Sequence, residues 1–205
     1  DPLYERTDLS KDVLAGAMDA QEDPRLDRAA LERLGITLRF GEPVAGIDKD
    51  NRRVNLESGE ALGYDLCFAA PGAAARQIDL PGADAQGVFT LRRAGDARCL
   101  GQAAREAGSC TVIGGGFIGM EAAGALAAAG VEVTMIVRET LPGIGPLGNE
   151  VATLVADHLR KLGVTTETGE TPERFIARDG RLESIRMRSG VVTPAAVALL
   201  AVGEE

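Results

Sequence analysis

Tryptophan is absent from the 205 residues, aromatic side chains make up 3% of them, and histidine occurs once, at His158. One histidine without a cysteine cluster leaves no donor set for zinc, so no metal site is expected. His158 lies in the periodic segment 151–162 and reads as an incidental helix-surface position. The three cysteines, Cys67, Cys99 and Cys110, form no Cys-x-x-Cys or Cys-x4-Cys pair, which argues against a redox-active disulfide. Cys67 and Cys110 sit in apolar runs and are expected as buried small hydrophobes. No apolar stretch approaches a membrane span, and residues 1–20 lack the order of a signal peptide, so a cytoplasmic location is the default. Positive charge is scarce. Twenty-two Lys and Arg against 31 Asp and Glu give a formal net charge of −9, which disfavours nucleic acid and anionic membranes as partners.

Glycine is plentiful, and three of the 26 fall in one diagnostic order. Thr111-Val112-Ile113 leads into Gly114-Gly115-Gly116-Phe117-Ile118-Gly119, and an Ala-rich stretch continues to Gly130. The pattern is strand, tight turn, helix. The first glycine permits the turn, the second lets the backbone approach a pyrophosphate, and the third lets helix and strand pack closely. A second β-rich run over 131–137 completes the spacing of a βαβ unit, so a dinucleotide is expected at this turn.

The rest of the chain reads as an α/β protein. Short helices are expected over 9–15 and 24–34, the second with Pro24 in its first turn and Gly35 as its stop. Strands are expected over 36–40, 44–48, 53–56 and 66–70, then a connecting loop over 71–87 and a helix over 95–107. Beyond the βαβ core, the Gly- and Pro-rich residues 141–146 read as a loop. A helix over 150–162 and a strand over 164–166 follow. Asp179-Gly180 marks a hairpin between 175–177 and 182–187, and a last strand covers 195–202. The domain boundary is expected near residue 104.

Three segments in this order resemble a known family: Tyr4-Glu5-Arg6-Thr7-Asp8-Leu9-Ser10-Lys11, Tyr64-Asp65-Leu66-Cys67-Phe68-Ala69-Ala70-Pro71-Gly72, and Gly114 through Ala123. They are similar to the FAD-dependent NAD(P)H reductases of ferredoxins, rubredoxin and putidaredoxin, a group that includes apoptosis-inducing factor. These belong to the pyridine nucleotide oxidoreductases but lack the active disulfide of the glutathione reductase branch. The resemblance implies a Rossmann-like dinucleotide-binding domain with a three-layer ββα/βαβ architecture over 104–205, which would bind NAD(P)H. It also implies part of a second, FAD-binding domain over 1–103. The glycine turn that opens such proteins and their later Gly-Asp motif have no counterpart here, so the chain is expected to be a fragment that binds flavin weakly or not at all by itself.

Residue roles follow from the resemblance. Arg6 and Lys11 match the family's Arg-Pro-Pro-Leu-Ser-Lys segment, the Arg contacting FAD and the Lys beside flavin N5; Thr7 and Asp8 replace the two prolines. Val44 matches the position whose backbone meets the adenine of FAD, Arg92 an arginine that reaches the flavin, and Gly203 a cofactor-binding position near the end of the chain. Ala70-Pro71-Gly72 stands where the family has Ala-Thr-Gly. Gly114, Gly115, Gly116, Phe117, Ile118 and Gly119 would hold the NAD(P)H pyrophosphate. Glu121, placed in the first helical turn, would face the nicotinamide and pair with Lys11.

The acid that usually meets the adenosine ribose would fall at Val137. Glu139 follows two residues later, and Arg138 competes for a 2′-phosphate; with Gly119 as third glycine the balance leans to NADH. The implied reaction passes hydride from NAD(P)H to FAD and then single electrons to a ferredoxin-type partner. Arg92, Arg93 and Arg98 read either as cofactor contacts or as an exposed basic landing patch. Two rivals stand beside the reductase. One is a single-domain NAD(P)-dependent dehydrogenase, for which no catalytic His, Lys-Tyr pair or metal is found. The other is a non-enzymatic NADH-responsive binding protein resembling apoptosis-inducing factor. Sequence leaves the oligomeric state open.

Overall fold

The computed structural model describes residues 3–20 and 28–205. A 3-10 turn at Arg6–Asp8 precedes α1 (Asp12–Ala15) and α2 (Arg28–Arg33). Three short strands follow, β1 (Val44–Asp48), β2 (Arg53–Leu56) and β3 (Ala61–Gly63). Then come β4 (Val88–Thr90), α3 (Ala94–Ala107), β5 (Ser109–Ile113), α4 (Phe117–Ala128), β6 (Glu132–Val137), α5 (Ile144–Lys161) and β7 (Thr165–Thr168). β8 (Pro172–Arg178), β9 (Arg181–Met187), β10 (Val192–Pro194) and β11 (Ala198–Leu200) complete the chain. Two compact units account for these elements, one built on residues 28–72 and the other on 5–20 with 73–205.

The larger unit is a parallel five-stranded sheet in the order β4-β11-β5-β6-β7. Parallel strands covered on both faces need near-continuous apolar sequence, and β5 and β6 supply it: Val112, Val133, Met135, Ile136 and Val137 are all but fully buried. α4 packs closely because its inner face is small, burying Gly119, Ala122 and Ala123 beside Met120 and Leu126. α3 buries Ala97, Leu100 and Ala104 and stops at Gly108, whose φ of 71° closes the helix in the left-handed region. The Asp179-Gly180 turn, with φ of 50° and 77°, joins β8 to β9, and β10 extends this antiparallel sheet. Phe175, Ile185 and Met187 share one core with Ile113, Ile136 and Leu200.

The smaller unit is the antiparallel sheet β1-β2-β3. Asp48 Oδ1 accepts from the N–H groups of Asp50 and Asn51 and so builds the first turn. The Arg39 guanidinium lies 2.6 Å from Glu42 and 2.7 Å from Glu60. Leu56 is the one buried hydrophobic residue among the described residues of this unit.

Several expectations change. Residues 36–40 and 66–70 carry β-rich sequence but form no ladder, because no neighbouring strand among the described residues bonds to them. Phe40, Leu66 and Phe68 are accordingly exposed, and Cys67 is half-buried rather than buried. The helix expected over 9–15 shrinks to the single turn of α1 at Asp12–Ala15, with residues 9–11 forming a turn that links it to the 3-10 turn at Arg6–Asp8. Pro24, expected in a helix start, lies outside the described residues. The loop expected through 146 ends early. α5 begins at Ile144, because Pro146 falls in its first turn where a missing N–H costs nothing, and Gly148 kinks the helix with φ 72° and ψ 169°.

Residue 104 falls inside α3, and the compact units divide elsewhere. A packing unit and a nucleotide-binding domain need not coincide. No described helix is long and apolar enough to cross a membrane.

Candidate functional site

The turn between β5 and α4 separates two kinds of glycine. A Cβ at Gly114, whose φ is 116°, would lie 2.2 Å from Ala201 O, and one at Gly119 would lie 2.2 Å from Gly114 O. One at Gly115 would meet Val137 Cγ1 at 2.7 Å. Packing within the protein therefore demands glycine at these positions. Gly116 is different: its φ of −77° suits any residue, and a Cβ there would meet nothing within 4 Å.

The open space lies at the N-terminus of α4. Met120 N–H makes the first intrahelical bond, 2.9 Å to Gly116 O, so the N–H groups of Phe117, Ile118 and Gly119 precede the ladder. Backbone donors, a helix dipole and room for close approach fit the diphosphate of a dinucleotide. The turn floors a groove of about 400 Å³ that also reaches Arg138, Glu139 and Gly203.

At the end of β6, Val137 is fully buried, and the two residues beyond it bind each other. Arg138 Nη2 and Nε donate to Glu139 Oε1 at 2.8 and 3.2 Å. This contact holds the Glu139 carboxyl below its ordinary range against a smaller opposing effect of burial, so it is ionised at neutral pH.

A second cluster gathers where α1 meets α4. Lys11 Nζ lies 3.3 Å from Glu121 Oε1 and donates to Thr7 O at 2.8 Å. Ser10 Oγ donates to Glu121 Oε2 at 2.5 Å. The ion pair implied by the resemblance is present, with one correction: Glu121 is the fifth residue of α4, and no acid stands in the helix's first turn. The dipole reading of Glu121 weakens accordingly, because that field fades within one turn.

Lys11 and Glu121 line two cavities at once, an apolar groove of about 710 Å³ along α1, α4 and α5 and a polar pocket of about 170 Å³. Arg6, Arg92 and Ile118 line the polar pocket. Both arginines there bind the Glu204 carboxylate, Arg6 at 3.4 Å and Arg92 in closer contact. Arg92 is thus no part of an exposed basic face; its side chain is 14% exposed, and its N–H and that of Arg93 donate to Asp96 Oδ2. Phe117 stands exposed at the edge of the apolar groove, which His158 also lines. Val44 belongs to the other unit, half exposed at the start of β1.

Sequence reasoning passed over Ser10 and Glu204. Each acts on a partner more than a hundred residues away, and the signals available for Ser10 were its match to the serine of the Arg-Pro-Pro-Leu-Ser-Lys segment and its place beside Lys11.

The family model for pyridine nucleotide-disulphide oxidoreductases matches residues 1–205. The ferredoxin–NAD(+) reductase component of the biphenyl dioxygenase system of Paraburkholderia xenovorans is 34% identical over 98% of this chain and 49% of its own length. Among solved structures, a ferredoxin reductase of Rhodopseudomonas palustris superposes with a TM-score of 0.88 at 26% identity, over 98% of this chain and 50% of that one. The reductase of a covalent putidaredoxin reductase–putidaredoxin complex gives 0.85 at 26% identity, over 98% and 49%. The chain spans about half the length of these relatives.

Proposed function

The chain belongs to the pyridine nucleotide-disulphide oxidoreductase family, whose members bind FAD and NAD(P)H, and from that premise we propose that it serves a ferredoxin reductase. In this reading residues 104–205 bind NAD(P)H and residues 1–103 contribute the middle of an FAD domain. The supporting observation is a single helix: α4 offers its N-terminus at Gly116 and, one turn on, presents Glu121 bound to Lys11. When bound, the flavin supplies the acceptor for hydride and the change from two-electron to one-electron transfer.

The protein's part is binding and alignment. The backbone from Gly114 to Gly119, with the N–H groups of Phe117 and Ile118, holds the diphosphate. Glu139 accepts from the adenosine ribose hydroxyl, which favours NADH, while Arg138 beside it is suited to a 2′-phosphate. Lys11 places an ammonium where charge develops, in a site only partly open to water, and Glu121 orients the nicotinamide carboxamide. Arg6, Arg92, Val44 and Gly203 are assigned to FAD, the two arginines supplying positive charge that Glu204 holds in place. The ferredoxin reductase relatives and the putidaredoxin complex support a ferredoxin-type partner.

Anaerobic stopped-flow reduction of the full-length enzyme with its flavin bound tests this. NADH reduces the wild type, and Lys11→Ala and Glu121→Ala each slow reduction by about tenfold or more. Wild-type rates in both variants remove the pair from the mechanism. Binding of NADH without turnover on any artificial acceptor overturns the reductase reading in favour of an NADH-responsive binding protein. Titration of both coenzymes settles their order: a preference for NADPH above tenfold, about 1.4 kcal/mol, gives the site to Arg138.

A further inference from the structure

Resting on the reductase reading, we infer that Ser10 is a positioning residue that fixes the Glu121 carboxylate between the apolar groove and the polar pocket. Glu121 is held at both oxygens, and the two holds are unequal. The Lys11 ammonium stands 3.3 Å from Oε1, longer than the roughly 2.7–2.9 Å of a charge-assisted N–H···O bond, and makes its shorter contact, 2.8 Å, to Thr7 O. The Ser10 hydroxyl lies 2.5 Å from Oε2, in the short range typical of O–H···O⁻ bonds. The tighter constraint on the carboxylate is the hydroxyl.

The mount of that hydroxyl is also the more rigid. Lys11 has a long side chain that is 45% exposed, whereas Ser10 has one side-chain torsion and is 7% exposed. Its turn is pinned by Leu9 N–H to Arg6 O and Lys11 N–H to Asp8 O, and is flanked by the buried Leu9, Val13 and Leu14. A serine hydroxyl has one proton to give. Spent on Oε2, it sets the rotation of the carboxylate, turns Oε1 toward Lys11 and decides which lone pairs face each cavity. Stability does not account for the contact. The Glu121 side chain is 37% exposed, so water replaces a lost hydroxyl at little cost to the fold while the fixed orientation disappears.

The test compares wild type, Ser10→Ala and Ser10→Thr. In the full-length enzyme with its flavin bound, Ser10→Ala slows anaerobic flavin reduction by NADH about tenfold while affinity for ADP-ribose, which reaches the diphosphate turn and Glu139 but carries no nicotinamide, is unchanged. Ser10→Thr, which keeps the hydroxyl, restores the rate to within about twofold. The second readout needs no flavin. With carbon-13 in the glutamate carboxyl groups, relaxation of the Glu121 signal reports greater mobility in Ser10→Ala and wild-type mobility in Ser10→Thr. An unchanged carboxylate in Ser10→Ala overturns the inference, as does an unchanged reduction rate. If neither coenzyme reduces the wild-type protein, the reductase reading fails separately, and the carboxylate measurement still decides whether Ser10 fixes Glu121.

Discussion

At Gly116 and Gly119 the same residue type serves two purposes, and substitution separates them. Gly116 has backbone angles open to any residue and empty space where a side chain would go, so Gly116→Val is expected to shift the thermal midpoint by no more than a few degrees. Its branched side chain would fill the approach to the α4 N-terminus, and NADH affinity is expected to fall about a hundredfold, near 2.7 kcal/mol. Gly119→Ala drives a methyl to 2.2 Å from Gly114 O and is expected to destabilise the fold by at least about 1–3 kcal/mol. Calorimetry and coenzyme titration on the pair check both statements; normal NADH binding by the Gly116→Val variant removes the turn from the site. The glycine spacing disclosed this turn in the sequence because turn, close approach and helix packing all lie within six residues. The Ser10–Glu121 contact was illegible, because it joins positions 111 residues apart and serine at a turn has many ordinary uses.

Elements declared themselves where both partners of a contact share a segment or a neighbouring one. β5, α4 and β6 follow one another and bury nearly everything they present inward, so periodicity and glycine placement sufficed. The three-residue strands β3, β4 and β10 are too short for alternation to show, whereas β11, equally short, is buried throughout and lies in the apolar run expected over 195–202. Residues 36–40 and 66–70 have strand composition without a strand, since composition states a preference and pairing needs a neighbour. Cys110 shows what burial inside β5 does chemically. Desolvation, the larger effect, pushes its thiol up from about 9 to about 12, opposed by a backbone hydrogen bond at Leu199.

A thiol raised in the folded state stays protonated there while the unfolded chain ionises, so its contribution to stability is complete below about pH 9 and declines as pH rises toward 12. Denaturant titrations of wild type and Cys110→Ala are expected to converge over that interval, with wild type losing the more. Parallel curves reject a buried neutral thiol. Alkylation at pH 8 is expected to label the exposed Cys99 and spare Cys110 until the protein unfolds.

Across the whole molecule, burial is divided very unevenly between the two packing units. The larger holds the parallel sheet, with Val112, Leu199 and Met135 fully buried on adjacent strands, while the smaller buries a single large side chain, Leu56, among its described residues. A sheet supported by so little apolar contact is expected to open at lower free energy than one enclosed on both faces, even though each has intact ladder hydrogen bonds. Hydrogen exchange on the complete chain is therefore expected to be slowest at the amides of β5, β6 and β11 and faster at those of β1 to β3, by about tenfold for every 1.4 kcal/mol between the two opening energies. Adding NADH should protect the amides of residues 114–121 and leave those of β1 to β3 unchanged. Equal protection of the two sheets without coenzyme would show that β1 to β3 draw stability from contacts beyond their own unit. Protection confined to β1 to β3 on adding NADH would move the coenzyme away from the α4 N-terminus.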